Sequence, residues 1–219
     1  MKFGYLSLAF LLIISIVFPI FFVFNFTNYL EILIISILIR LILVYKTPKT
    51  HSLLIFNFLN YAQGIYLIFI LIMWNFAFND LGILDLANLV GDDRSYFEDA
   101  LKMSKEEGIS FLEYKELTIL NYFLFQYILS NILVFFKSHY LACLLFIMFT
   151  GLLNLLLLIK IGILLDFKKN TIKIISVFYI FFPHILSANI ILLKDSLLVF
   201  SLLLLVYAAL CFLKNRNNK

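Results

Sequence analysis

Six stretches of the chain, at residues 3–24, 29–45, 53–78, 140–165, 174–192 and 196–213, are almost unbroken runs of apolar side chains. The shortest, 29–45, has 17 residues. At a rise of 1.5 Å per residue, a helix of about 20 residues crosses the roughly 30 Å of hydrocarbon in a bilayer. Lipid offers no partner to a backbone N–H or C=O, so each run must close its hydrogen bonds internally, as an α-helix. The sequence therefore predicts an all-α, polytopic membrane protein with about six spanning helices. A mean hydropathy of +1.06 excludes a water-soluble domain. Residues 3–24 are too long for the apolar core of a signal peptide and lack a small-residue cleavage pattern, so they are expected to remain as a membrane helix. Cys143 and Cys211 sit inside apolar runs, where they imply neither a disulfide framework nor a metal site.

One segment breaks the pattern. Residues 79–117 hold ten of the 13 acidic side chains and only four basic ones (Arg94, Lys102, Lys105 and Lys115), a net charge of −6. The chain thus divides into 1–78, with three apolar runs, an acidic loop at 79–139, and 140–219, with three more runs. At the middle of the acidic segment lies GDDRSYFEDAL, residues 91–101. Gly91 permits a tight turn, and Asp92 or Asp93 can accept from the free N–H groups of a first helical turn. Tyr96, Ala100 and Met103 then recur at i, i+4 and i+7, with Phe97 and Leu101 beside them, while Arg94, Glu98, Asp99, Lys102 and Lys105 take the opposite face. This predicts an amphipathic helix lying on a membrane surface or on the protein's own bundle.

Topology turns on a seventh run, 118–136, which is apolar but carries Asn121, Gln126, Ser130 and Asn131. If it crosses, the basic residues at helix ends divide six against seven between the two sides. If it enters and leaves on one face, Lys2, Arg40, Lys46, Lys49, Lys160, Lys168, Lys169, Lys173, Lys214, Arg216 and Lys219 share a side, with only Lys137 and Lys194 opposite. Basic residues gather on the cytoplasmic side, so eleven against two places both termini in the cytoplasm of an inner (plasma) membrane and the acidic loop outside. Residues 118–136 then form a membrane-dipping helix on the outer face, its amides turned to protein or water. The overall +4 is the loop's −6 plus +10 at helix ends, a topogenic pattern and not that of a nucleic-acid binder.

Charges within the runs are few. Arg40 and Lys160 fall near cytoplasmic ends, where they can snorkel, and Glu31 near an outer end. More informative are Phe181-Phe182-Pro183-His184, then Asn189, then Leu193-Lys194-Asp195-Ser196. Pro183 removes a helical donor and bends its helix. In the six-span topology Lys194 and Asp195 emerge on the same face as Asp92 and Asp93. The same residues also fit a plain turn in which Asp195 caps one helix and Lys194 closes the other.

An acidic pair in a long outer loop, a Tyr-containing amphipathic helix, a non-crossing apolar helix, a crossing helix ending in basic residues, and an FP helix followed by LKDS together resemble the membrane glycosyltransferases of the C superfold. These relatives of protein mannosyltransferases and aminoarabinose transferases use polyprenyl-phosphate sugars. The resemblance spans roughly residues 91–209. It implies a sugar transferase in which Asp93 orients or deprotonates the acceptor, with Asp92 as its electrostatic or divalent-metal partner. It also implies that Lys194 and Asp195 meet the donor phosphate, with Tyr96 and Lys137 as further substrate contacts. The chemistry is coherent, since such transfer needs a carboxylate at the attacking hydroxyl and positive charge at the departing phosphate. The chain departs from the family in having two crossing helices before the one that enters the acidic loop, and in reaching only six spans by Lys219. These departures fit a short or split member, or one that no longer catalyses.

Polysaccharide polymerases, which also join lipid-linked sugars through large outer loops, are a related reading. A rival from another class is a non-enzymatic accessory subunit of an envelope-polysaccharide system, its acidic loop docking a basic membrane-protein partner. Small-solute transport fits less well, because no pair of matched halves with broken helices is visible.

Overall fold

A computed structural model of the protein describes residues 49–77, 92–105, 123–135, 140–191 and 194–217. These residues are all-helical and form seven helices: α1 (Lys49–Ala77), α2 (Asp92–Lys105), α3 (Phe123–Phe135), α4 (Tyr140–Leu164), α5 (Lys169–Phe181), α6 (Pro183–Ile190) and α7 (Asp195–Asn217). Three of them, α1, α4 and α7, are long and apolar enough to cross a membrane, and α5 with α6 makes a fourth if that bent pair is one span. Four of the six expected spans thus have helical counterparts, while the runs at 3–24 and 29–45, with Glu31 and Arg40, lie outside the described residues.

α4 is the centre of the bundle. Helices α1, α3, α5, α6 and α7 all pack against it, and 78% of its apolar stretch is buried, against 6% for α7. Between helices in hydrocarbon there is little hydrophobic driving force, so close packing and interhelical hydrogen bonds hold such a bundle. The chain leaves α4 through a Schellman-type turn. Phe167 N–H donates to the Gly162 carbonyl at 2.9 Å and Asp166 N–H to that of Ile163 at 3.1 Å. Asp166 occupies the left-handed position usually given to glycine, with φ 55°. Lys214, near the end of α7, reaches back to this turn, 3.5 Å from the Leu164 carbonyl. Lys160 on α4 lies 5.8 Å from the ring centroid of Tyr207 on α7, so its charge is held by an aromatic face.

The amphipathic helix expected in the acidic loop is α2, and of the two surfaces left open for it the bundle is the one it packs on. Tyr96, Phe97, Ala100 and Met103 are all buried. Tyr96 packs edge-on to Phe125 of α3 with ring centroids 5.1 Å apart, and Phe97 edge-on to Tyr140 of α4 at 4.9 Å. The polar face carries the pairs Arg94–Glu98, at 2.8 Å, and Lys102–Asp99, at 3.9 Å. Exposed pairs of this kind are worth less than about 1 kcal/mol each. The described part of the seventh run, α3, has 13 residues, about 20 Å of helix and short of the roughly 30 Å needed to cross. Gln126 and Ser130 turn inward and are buried, and Gln126 Nε2 donates to Asp99 Oδ2 at 2.8 Å. Asp99→Ala is expected to strand that amide and loosen α2 from α3 by about 1–3 kcal/mol. Faster proteolytic cleavage at Lys102 and Lys105 in detergent-purified protein would register the change.

Candidate functional site

Pro183 shapes the site. It offers no N–H to the ladder of α5, and its ring forces the preceding residue out of the helical region. Phe182 accordingly takes φ −65°, ψ 120°. α5 stops at Phe181, α6 begins with Pro183 in its first turn, and the two axes differ by 62°. The bend lays α6 against both α4 and α1.

The crossing of α6 over α4 is close enough to demand a glycine. A Cβ at Gly151 would lie 2.6 Å from both Cγ and Oδ1 of Asn189, so only a residue without one leaves that amide its place. Around Asn189 a buried network links five helices. Its Nδ2 faces the hydroxyls of Tyr66 on α1, at 3.2 Å, and Tyr179 on α5, at 3.4 Å. Its Oδ1 accepts from Ser196 Oγ, on α7, at 3.2 Å. Tyr179 in turn donates to the Gly151 carbonyl at 3.4 Å. Asn154 on α4 completes the set, its Nδ2 donating to the Ser196 carbonyl at 2.9 Å and lying 3.4 Å from Ser196 Oγ. Asn154 Oδ1 is buried and finds no donor among the described residues.

Against this network opens a cavity of about 180 Å³, lined by Asn154, Tyr179, Asn189 and Ser196 together with His184, Asp195 and the apolar side chains of Ile185, Ala188 and Val199. Asp195 stands in the first turn of α7, where the unpaired N–H groups of the helix favour negative charge. Lys194, the residue before it, accepts at its carbonyl from the N–H groups of Leu197, at 3.0 Å, and Leu198, at 3.1 Å. A space that combines a carboxylate, an imidazole, amides and hydroxyls with an apolar wall suits a small polar group delivered from a membrane.

The residues singled out in the sequence meet different fates. The structure brings His184, Asn189, Asp195 and Ser196 into one site, and Lys194 adjoins it. Tyr96 is 2% exposed, with its ring in the α2–α3 interface. Its ring is taken up in packing the apolar face of α2. Asp92 and Asp93 form the first turn of α2, but their side chains, and Lys137 altogether, lie outside the described residues. The expected divalent-metal role of Asp92 therefore falls outside them too, and among the described residues no three His, Cys, Asp or Glu side chains group to hold a metal ion.

The two polar regions also differ in height along α4. Tyr140, which touches α2, precedes Asn154, which touches the start of α7, by 14 residues, about 21 Å of helix. Tyr66, Gly151, Asn154 and Tyr179 were not among the sequence candidates. The available signal was a polar side chain or glycine inside an apolar run, which marks a partner without naming it. No protein-family model, curated protein or solved structure matches this chain.

Proposed function

We propose that this protein is a multi-pass inner-membrane glycosyltransferase, moving a sugar from a polyprenyl-phosphate donor to an envelope glycan or similar acceptor on the outer face, with both termini in the cytoplasm. The observation that carries the reading is the cavity at the helix break. Asn154, Tyr179, Asn189 and Ser196 meet Asp195 and His184 there, and polar side chains gathered inside apolar helices mark a candidate site. Lys194 and the N–H groups at the start of α7 receive the donor phosphate, the usual partners of an oxyanion. Asp195 stands at the same helix end, beside the group being transferred. Asp93, with Asp92 beside it, orients the acceptor chain at α2, and Asp195, the carboxylate at the cavity, takes the proton of the attacking hydroxyl as its oxygen bonds to the sugar's anomeric carbon. The bond from that carbon to the phosphate oxygen breaks, and polyprenyl phosphate leaves.

A second reading draws on the difference in height between α2 and the cavity. About 21 Å along α4 separates their contacts, which favours α2 as a surface for another protein, as in an accessory subunit of an envelope-polysaccharide system. Asp195→Asn distinguishes the two. With the protein at normal level in cells, sugar incorporation into the envelope glycan is expected to fall about 10²–10⁴-fold, the range for loss of a general base. Unchanged incorporation would leave the accessory reading in possession.

A further inference from the structure

We infer that the turn between α4 and α5, together with the end of α7, is a binding surface for the phosphate head group of an anionic phospholipid. It lies at the far end of α4 from Tyr140 and α2, and it is independent of the sugar-transfer reading.

Charge is unbalanced at this end of the bundle. Lys168, Lys169 and Lys173 crowd the start of α5, Lys214 and Arg216 stand in the last turn of α7, and all five are exposed. Lys214 brings the two groups together, since its Nζ lies 3.5 Å from the Leu164 carbonyl and 4.0 Å from Oδ1 of Asp166, two residues before Lys168. Five cations thus meet one carboxylate. Among the described residues Lys168, Lys169, Lys173 and Arg216 form no ion pair.

The three lysines of α5 are also at the wrong end of their helix. A helix is positive at its start, yet α5 has no acidic residue in its first turn, and Lys168, at the N-cap position, makes no side-chain capping bond. Lys169 and Lys173, four residues apart, add a like-charge pair. An anion bound here relieves each of these repulsions.

The surroundings identify the anion as part of a lipid. Leu165, Phe167, Ile174 and Leu213 lie beside the cations and are exposed, an apolar rim that a soluble phosphate leaves bare and an acyl chain covers. Depth agrees with this. Both α4 and α7 are long and apolar enough to cross a membrane, and both end here, at the level where hydrocarbon gives way to head groups. A soluble anion on exposed lysines is held only by screened charge, whereas an anionic leaflet concentrates negative charge in the plane of the cluster.

The test uses the full chain purified in a nonionic detergent and titrated with phosphatidylglycerol, with phosphatidylcholine of the same acyl chains, or with glycerol phosphate, which has the phosphate without the chains. Binding is read from the thermal unfolding midpoint against the amount of probe. A Lys or Arg near an anionic surface contributes up to about fivefold in affinity; at about two- to threefold for each, the lysines of α5 give about tenfold. Phosphatidylglycerol is therefore expected to reach its half-maximal shift at about tenfold lower content than phosphatidylcholine. The preference should shrink as salt is raised to about 1 M, where charge is screened within about 3 Å.

Replacing Lys168, Lys169 and Lys173 together by Gln is expected to abolish the preference. Packing of α5 rests on the buried Ile172, Ser176, Tyr179 and Ile180, so in phosphatidylcholine this variant should unfold no earlier than the unaltered chain. Lys168→Gln and Lys173→Gln, single changes that put less of the fold at risk, should each lose about two- to threefold. Lys102→Gln with Lys105→Gln, on α2, should leave the preference as it was. Equal action of the two lipids, a preference that survives loss of the α5 lysines, a preference lost with those of α2, or a glycerol phosphate response equal to that of the lipid would each overturn the inference.

Discussion

Gly151→Ala is expected to destabilise the protein by about 3 kcal/mol, the upper range for overpacking a close contact. The added methyl would sit 2.6 Å from Cγ and Oδ1 of Asn189 and 2.9 Å from its Cβ. Both neighbours belong to helices, so neither backbone can yield cheaply, and the amide must leave its place. Doing so releases Ser196 Oγ, Tyr66 and Tyr179 from their shared partner. Interhelical hydrogen bonds in membranes average about 0.6 kcal/mol each, so most of the cost comes from the overlap itself. This makes the effect strongly coupled to residue 189. In an Asn189→Gly background all three contacts vanish, and Gly151→Ala is expected to cost less than about 1 kcal/mol more. Thermal unfolding in detergent of the two single variants and the double variant measures the cycle. Simple additivity would mean that the α4–α6 crossing is looser than described.

Lys194→Ala is expected to lower sugar transfer about 10²–10³-fold, comparable to removal of one donor from an oxyanion site. The first turn of α7 keeps its backbone bonds in this variant. The carbonyl of Lys194, not its side chain, accepts from Leu197 and Leu198, and alanine keeps that carbonyl. Lys194→Arg should recover part of the rate, since it restores the charge in a different geometry. Transfer from a radiolabelled polyprenyl-phosphate sugar by protein reconstituted in vesicles is the measurement. Full activity in the alanine variant would sink the assignment of the phosphate to this residue.

Much of the architecture was legible because hydrocarbon thickness sets a length scale that can be counted in residues. The runs at 53–78, 140–165 and 196–213 correspond to α1, α4 and α7. The spacing of Tyr96, Ala100 and Met103 marked the face that α2 buries, since three residues on one stripe of a helix require a partner surface. The bend at Pro183 was legible for a local reason, the missing N–H. Its 62° amplitude was not, because the angle depends on what α6 meets. The same limit hid half of the site. Gly151 in an apolar run reads as an ordinary small residue until Asn189 is laid on it. Asn154 and Tyr179 read as tolerated polar positions until Ser196 arrives from 42 residues beyond Asn154. Tyr96, a substrate contact only by resemblance, lies on the apolar stripe that is buried against α3.

The contrast between α4 and α7 divides the chain by how freely it can change. Both helices are apolar and of similar length, yet 78% of the apolar stretch of α4 is buried among the described residues and only 6% of that of α7. At a buried position, volume and shape are fixed by the neighbours. At an outward-facing one, such as Leu202 or Leu205, any side chain of similar hydropathy serves. Over generations α7 can therefore exchange one apolar residue for another almost freely while keeping Asp195 and Ser196 at its start and Lys214 at its end. A lineage of such proteins would hold its polar punctuation and its α4 packing long after the letters of α7 had been rewritten.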